Sequence, residues 1–204
     1  LANDSYVGPV PVSLAQYSEW ARRQTIRPER VRMDAIEAAF ADMVLPRRLL
    51  ERIGAAANSG RSILLYGAAG NGKTTIAEHL GRLFRTMVMI PHCFEIGGHI
   101  VKVFDPTLHQ RIDAEAEAPG GLLADELDPR WVPCRRPFVA AGGELSLDML
   151  DLKFDPVSRF YTAPLHVKAM NGVLLIDDFG RQLAPPAALL NRWVVPMDRG
   201  KDYL

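Results

Sequence analysis

The sequence predicts an α/β fold built on a parallel sheet, and three observations carry that prediction. A glycine-rich run, Gly67-Ala68-Ala69-Gly70-Asn71-Gly72-Lys73-Thr74, stands between an apolar run at residues 62–66 and a stretch with helical spacing. A second apolar run, Val173-Leu174-Leu175-Ile176, suits a strand buried on both faces and ends in Asp177-Asp178. Residues 94–104 read as a β-hairpin turning at Gly97-Gly98.

The elements follow in order. Residues 1–16 are proline-rich and extended and read as a surface linker. Residues 13–24 and 28–43 have helical patterns, the second with Pro28 in its first turn. Residues 1–44 are thus expected to form an N-terminal extension, extended and then helical, ahead of a core at 45–204. The core opens on a helix from Leu45, with Leu49, Leu50 and Ile53 packing inward, that closes at Asn58-Ser59-Gly60. Next come a buried strand at 62–66 and a helix at 74–84 with Ile76, Leu80, Leu83 and Phe84 on one face. Residues 87–90 are a candidate core strand, and 131–141 another with Arg135 and Arg136 exposed. The acidic stretch 113–128, broken by Pro119-Gly120-Gly121, reads as a loop. A turn or short helix is expected at 142–152 and an extended piece ending near Met170.

The glycine-rich run fits G-x-x-x-x-G-K-[ST], a loop that holds a nucleoside triphosphate. Glycines let the backbone curl so that successive N–H groups point at phosphate oxygens. The amides of Ala69, Gly70, Asn71, Gly72, Lys73, Thr74 and Thr75 are the candidate donors. Lys73 supplies charge near the β- and γ-phosphates, Thr74 offers a hydroxyl to Mg²⁺, and the helix N-terminus adds its dipole. An ordinary glycine turn is the plainer alternative.

A triphosphate site also needs a carboxylate for its metal. The acids at 177–178 stand at the C-terminal end of an apolar run, where open α/β sheets bind ligands. Asp177 is the candidate Mg²⁺ partner, through water, and Asp178 the candidate to orient or deprotonate the attacking water. Strand-end caps and turn formers give the same pattern.

Composition narrows the classes. The 204 residues suit one large domain or a domain with appendages, and 48% hydrophobic residues are ample for a core. A net charge of zero gives no general attraction to nucleic acid or anionic membrane. There is no membrane-span run and no signal-peptide pattern, so a cytoplasmic protein is expected. Cys93 and Cys134 are expected to be reduced and buried. His92, Cys93, His99 and His109 match no zinc spacing. Arg22, Arg23, Arg27, Arg30 and Arg32 form a basic cluster, read as a solvated helix face.

The two phosphate-site motifs resemble the Walker A and Walker B elements of AAA+ ATPases. The stretch from Gln182 to Trp193 resembles the helix after Walker B in the MoxR-like and magnesium-chelatase-like branch. Tyr6-Val7-Gly8-Pro9, Val103-Phe104-Asp105-Pro106, Gly142-Gly143-Glu144-Leu145 and 176–182 resemble bacterial AAA+ ATPases described as having chaperone-like activity. The resemblance implies a three-layer P-loop NTPase core with an N-terminal helical extension and an inserted β-hairpin. It also implies ATP and Mg²⁺ as cofactors, Lys73 and Asp178 as catalytic residues, a homo-oligomeric ring, most commonly a hexamer, and remodelling of a protein client. Arg181 or Arg192 would be the arginine finger, unless they are ordinary surface residues, and Tyr6, Val7 and Gly8 would be candidates to wrap the adenine, unless they are surface linker. In this family a further strand carrying the sensor-1 residue, and a lid, follow the Walker B helix. These would lie beyond Leu204, so the chain reads as a fragment whose own hydrolysis is expected to be weak or absent.

One departure bears on mechanism. Walker B usually ends Asp-Glu and here ends Asp-Asp, which sets the second carboxylate roughly 1.5 Å further back. Two other functions therefore remain in view. One is a nucleotide-gated assembly switch with little hydrolysis. The other is a DNA-linked ATPase of the initiator or helicase-loader kind, which the neutral charge disfavours.

Overall fold

The computed structural model describes residues 5–68, 70–84, 86–112 and 128–203. The glycine-loop residue Ala69, residues 113–127 of the expected acidic loop, and Leu204 lie outside the described residues. The chain is a mixed α/β protein with six helices among the described residues. It divides into two compact units, residues 25–85 and residues 1–24 with 86–204.

Within residues 25–85 the described regular structure is helical: α2 (Met33–Ala39), α3 (Arg47–Asn58) and α4 (Lys73–Gly81). Apolar residues of α3 at helical spacing, Leu49, Leu50, Ile53 and Ala57, pack with Ile36, Phe40, Ile76 and Leu80 into one core. The Asn58 side chain accepts from Val31 N–H at 2.8 Å and donates to its carbonyl at 2.9 Å, fastening the segment before α2. The helix expected from residue 28 begins only at Met33. Pro28 instead lies within a turn closed by the Glu29 N–H on the Ile26 carbonyl, at 3.0 Å.

The strand expected at residues 62–66 does not form. These residues pair with no strand, and Leu64 and Tyr66 are 78% and 86% exposed. A strand is defined by its ladder, and this unit holds no other strand among its described residues to supply one.

The other unit holds β1 (Val12–Ser13), α1 (Leu14–Arg23), β2 (Met87–Pro91), β3 (Cys93–Ile96), β4 (His99–Lys102), β5 (Trp131–Arg135), β6 (Phe138–Ala141), β7 (Lys153–Asp155), β8 (Phe160–Thr162), α5 (Leu165–Lys168), β9 (Val173–Ile176) and α6 (Pro186–Arg199). Ser13 and Gln16 form a reciprocal capping box that starts α1. The hairpin β3–β4 turns at Gly97 and Gly98, both with positive φ (58° and 84°), as a type I′ turn requires. It lies inside a five-stranded sheet of order β1-β3-β4-β8-β7, parallel at β1–β3 and β4–β8 and antiparallel at β3–β4 and β7–β8. Phe94 and Val101 of the hairpin are buried with Val12, Val88 and Trp131, so it is part of the core.

Strand β2 forms where expected and runs antiparallel to β5. The single strand expected at 131–141 is two, split at Arg136-Pro137. Pro137 has no N–H to continue a ladder, and β6 beyond it pairs in parallel with β9. Arg136 is half-buried, not exposed. It donates to the carbonyls of Gln24 (2.7 Å) and Asn171 (2.6 Å) and to Thr86 Oγ1 (2.7 Å). The extended piece expected up to Met170 ends at β8, and α5 follows. A short 3₁₀ helix, Leu147–Leu150, occupies the expected turn region. Cys93 and Cys134 are buried free thiols, and burial pushes Cys134 up to about 12. No helix of the described residues is long and apolar enough to cross a membrane.

Candidate functional site

The candidate residues form two groups, one in each compact unit, and each is described by itself. In the first, the glycine loop runs directly into α4. Gly70 and Gly72 have φ of 80° and 68°, which side-chain-bearing residues rarely adopt. An added Cβ at Gly70 would meet nothing within 4 Å, so conformation and not space demands glycine there. Gly72 is the N-cap of α4, and its carbonyl accepts the Ile76 N–H at 2.9 Å. The loop therefore delivers Lys73, Thr74 and Thr75 to the first turn, where the helix dipole favours an anion. Lys73 arches back over the loop, its Nζ donating to the carbonyls of Gly67 (3.2 Å) and Ala68 (2.9 Å). Asn71, Thr74 and Thr75 are exposed.

The first turn of α4 is braced by a residue the sequence reading passed over. His79 is buried, with Nδ1 2.8 Å from the Thr75 carbonyl and Nε2 2.8 Å from Asp42 Oδ1. Its ring stacks on Phe40 at 5.2 Å between centroids. The hydrogen bond from His79 holds the Asp42 carboxyl below the usual range. The available signal was a histidine on the same helix face as Ile76 and Leu80.

The second group sits at the end of β9. The register Phe138↔Val173 to Ala141↔Ile176 continues with the Asp177 N–H on the Ala141 carbonyl at 2.9 Å. Close approach of Pro137 requires glycine just before the strand, because a Cβ on Gly172 would lie 2.0 Å from the Pro137 carbonyl oxygen. All four β9 side chains are half-buried, not buried on both faces as expected. Asp177 Oδ1 accepts the N–H of Asp178 at 3.0 Å. Asp178 is exposed and left-handed, with φ 51°.

The turn after these acids is tied to the core. The Arg181 N–H reaches the Asp178 carbonyl at 2.9 Å. Gln182 Nε2 donates to the Asp177 carbonyl at 2.6 Å, and its Oε1 accepts the Gly180 N–H at 2.7 Å. Leu183 and Ala184 N–H groups reach the carbonyls of Gly143 (3.0 Å) and Leu145 (3.1 Å). Leu145, Leu150, Ala184 and Leu189 are buried together beneath them, and α6 follows with proline in its first turn. The Gly142 N–H bonds Glu144 and lowers its carboxyl below the usual range.

Other candidates are engaged elsewhere. Arg192 forms a two-pronged ion pair with Asp202 (2.6 and 2.8 Å) and donates to the Leu150 carbonyl at 3.0 Å, which occupies its guanidinium. Arg181 is exposed. Tyr6 packs edge-on against Phe160 and hydrogen-bonds Cys93, while Val7 is fully exposed. His109 is buried, accepting from Asp105 N–H and bonding the Lys168 carbonyl. In the basic cluster, Arg22 and Arg23 pair with Glu19, Arg32 pairs with Asp34, and Arg30 donates to the carbonyls of Arg27 and Asn58. No protein-family model matches the chain, and no curated protein is similar enough to count as a match.

Proposed function

We propose that this protein binds Mg·ATP and hydrolyses it as an AAA+ P-loop ATPase, and that turnover drives remodelling of a protein client. The observation that carries this reading is the loop itself: Gly70 and Gly72, at left-handed torsions, lead into and cap α4, and Lys73 curls back onto the carbonyls of Gly67 and Ala68. A triphosphate placed there exchanges those carbonyl contacts of Lys73 for phosphate oxygens, while the amides of the first turn of α4 donate to it. Mg²⁺ characteristically keeps most of its water and takes few protein ligands; on this reading the Thr74 hydroxyl and, through water, the Asp177 carboxylate would supply them. The ion would neutralise charge on the β- and γ-phosphate oxygens. Asp178 orients the attacking water and accepts its proton, and Lys73 with the loop amides stabilises the charge that develops. The fold attached to this reading is the three-layer P-loop core, and the assembly is a homo-oligomeric ring in the cytoplasm.

One observation favours a second reading, a nucleotide-gated assembly switch. Asp178 is a methylene shorter than the usual glutamate and stands exposed in a left-handed backbone. A DNA-linked ATPase gains no support, because most of the Arg22–Arg32 cluster is already paired. Titration calorimetry with ATP, with and without Mg²⁺, tests the binding step. Magnesium-dependent binding that weakens by about 100-fold or more in Lys73→Ala is expected. Equal affinity in the parent and Lys73→Ala would end the P-loop reading.

A further inference from the structure

Asp178 is placed by its backbone alone. Its carboxylate makes no hydrogen bond or ion pair among the described residues, so the torsions at residue 178, which set the direction of its Cα–Cβ bond, decide the region the carboxylate can reach. Those torsions are left-handed, a conformation that aspartate adopts where local hydrogen bonds support it. The side chain of Gln182 spans the turn that contains Asp178. Its amide donates to the carbonyl just before Asp178 (Asp177, 2.6 Å) and accepts from the N–H two residues after it (Gly180, 2.7 Å). Gln182 is in turn fixed from below, because the next two residues bond the carbonyls of Gly143 and Leu145 over a fully buried Leu145.

We propose that Gln182 is a positioning residue for hydrolysis: its side-chain amide clamps the turn 177–182 and thereby aims the Asp178 carboxylate at the attacking water. This rests on the ATPase reading above. The position asks for one donor and one acceptor on the same fork, at glutamine length. Ionised glutamate has only acceptors and would face the Asp177 carbonyl, asparagine is one methylene short, and an aliphatic residue supplies neither bond. Without the clamp Asp178 relaxes toward ordinary torsions and its carboxylate moves. A displacement of about 1 Å at a reacting centre costs on the order of 100-fold in rate. Nucleotide binding involves the glycine loop and is untouched.

The test compares the complete polypeptide with Gln182→Ala and Gln182→Glu, by steady-state ATP turnover, ATP affinity and amide exchange at Gly180. Gln182→Ala should lose about 10- to 100-fold in kcat with KM and ATP affinity unchanged, and the Gly180 amide should exchange faster. Gln182→Glu should be equally slow at pH 8. Its KM and ATP affinity should also stay at the parent values. A merely structural role predicts that kcat and ATP affinity fall together. A kcat for Gln182→Ala within twofold of the parent overturns the inference, as does an equal loss in ATP affinity. A parent that binds ATP but does not turn it over, even with Gly180 protected, overturns the hydrolytic reading and the catalytic role together. Turnover in the parent retained in Gln182→Ala overturns the role of Gln182 alone.

Discussion

The glycine loop and the acid-tipped strand are built by opposite means. The loop is local: three glycines with positive φ, a helix N-terminus and Lys73 folded on the carbonyls six and five residues behind it make its shape within eight residues. The strand β9 is non-local: it exists because β6, some thirty-five residues earlier, offers a parallel ladder and because Gly172 admits the Pro137 carbonyl. The apolar run at 62–66 shows what happens without such a partner, since it remains unpaired beside a well-formed loop. The difference teaches that a glycine loop leading into a helix can take its form without a paired strand in front of it, whereas an acid at a strand end depends on the sheet.

Several variants break or sharpen this contrast. The largest effect is expected in the support of the acids. Leu189 is fully buried under the turn after β9, and Leu189→Ala should cost about 2–5 kcal/mol in urea unfolding. Acid comes next. At Asp105 burial opposes ionisation, but the Lys168 and Thr107 hydrogen bonds outweigh it and hold the carboxyl at about 2, below 3.8. The stabilisation is complete above about pH 4 and is lost as pH falls through 2, roughly 2 kcal/mol in all. Urea melts between pH 5 and 2 should show this component in the parent and lose it in Asp105→Asn.

Backbone variants test the two halves at about 1 kcal/mol. Gly70→Ala puts a side chain at φ 80° and should destabilise by about 1 kcal/mol. Asp178→Gly relieves the opposite strain and should stabilise by a similar amount, raising Tm while lowering turnover. The smallest effect is expected at Leu64, 78% exposed. Leu64→Thr should change unfolding free energy by less than about 0.5 kcal/mol. A cost of about 2 kcal/mol or more would mean that residues 62–66 are paired after all, and the contrast between loop and strand would collapse.

Much of this was legible because it is local. The helix expected over residues 13–24, the Gly97-Gly98 turn, the inward face of α3 and the loop-to-helix step at Lys73 each depend on neighbours in sequence. The position of Asp177 was legible from an apolar run with acids at its end. What failed depended on partners far along the chain. Nothing in residues 62–66 says that no ladder awaits them, and nothing in 87–91 says that its partner runs antiparallel. The His79–Asp42 brace joins residues thirty-seven apart, and Arg192 meets Asp202 only once the segment after α6 folds back. Gln182 is close in sequence to Asp178, yet its role lies in the reach of one side chain across a left-handed turn, which no spacing rule encodes.

The most direct test of the central claim is steady-state phosphate release from Mg·ATP by the complete polypeptide, beside Lys73→Ala and Asp178→Asn. Asparagine tolerates the left-handed backbone as aspartate does, so Asp178→Asn removes the carboxylate without disturbing the turn. The account predicts turnover in the parent, loss of nucleotide binding in Lys73→Ala, and intact binding with turnover reduced by about 100-fold or more in Asp178→Asn. Tight binding without turnover in the parent, or a parent rate unchanged in Asp178→Asn, would contradict it.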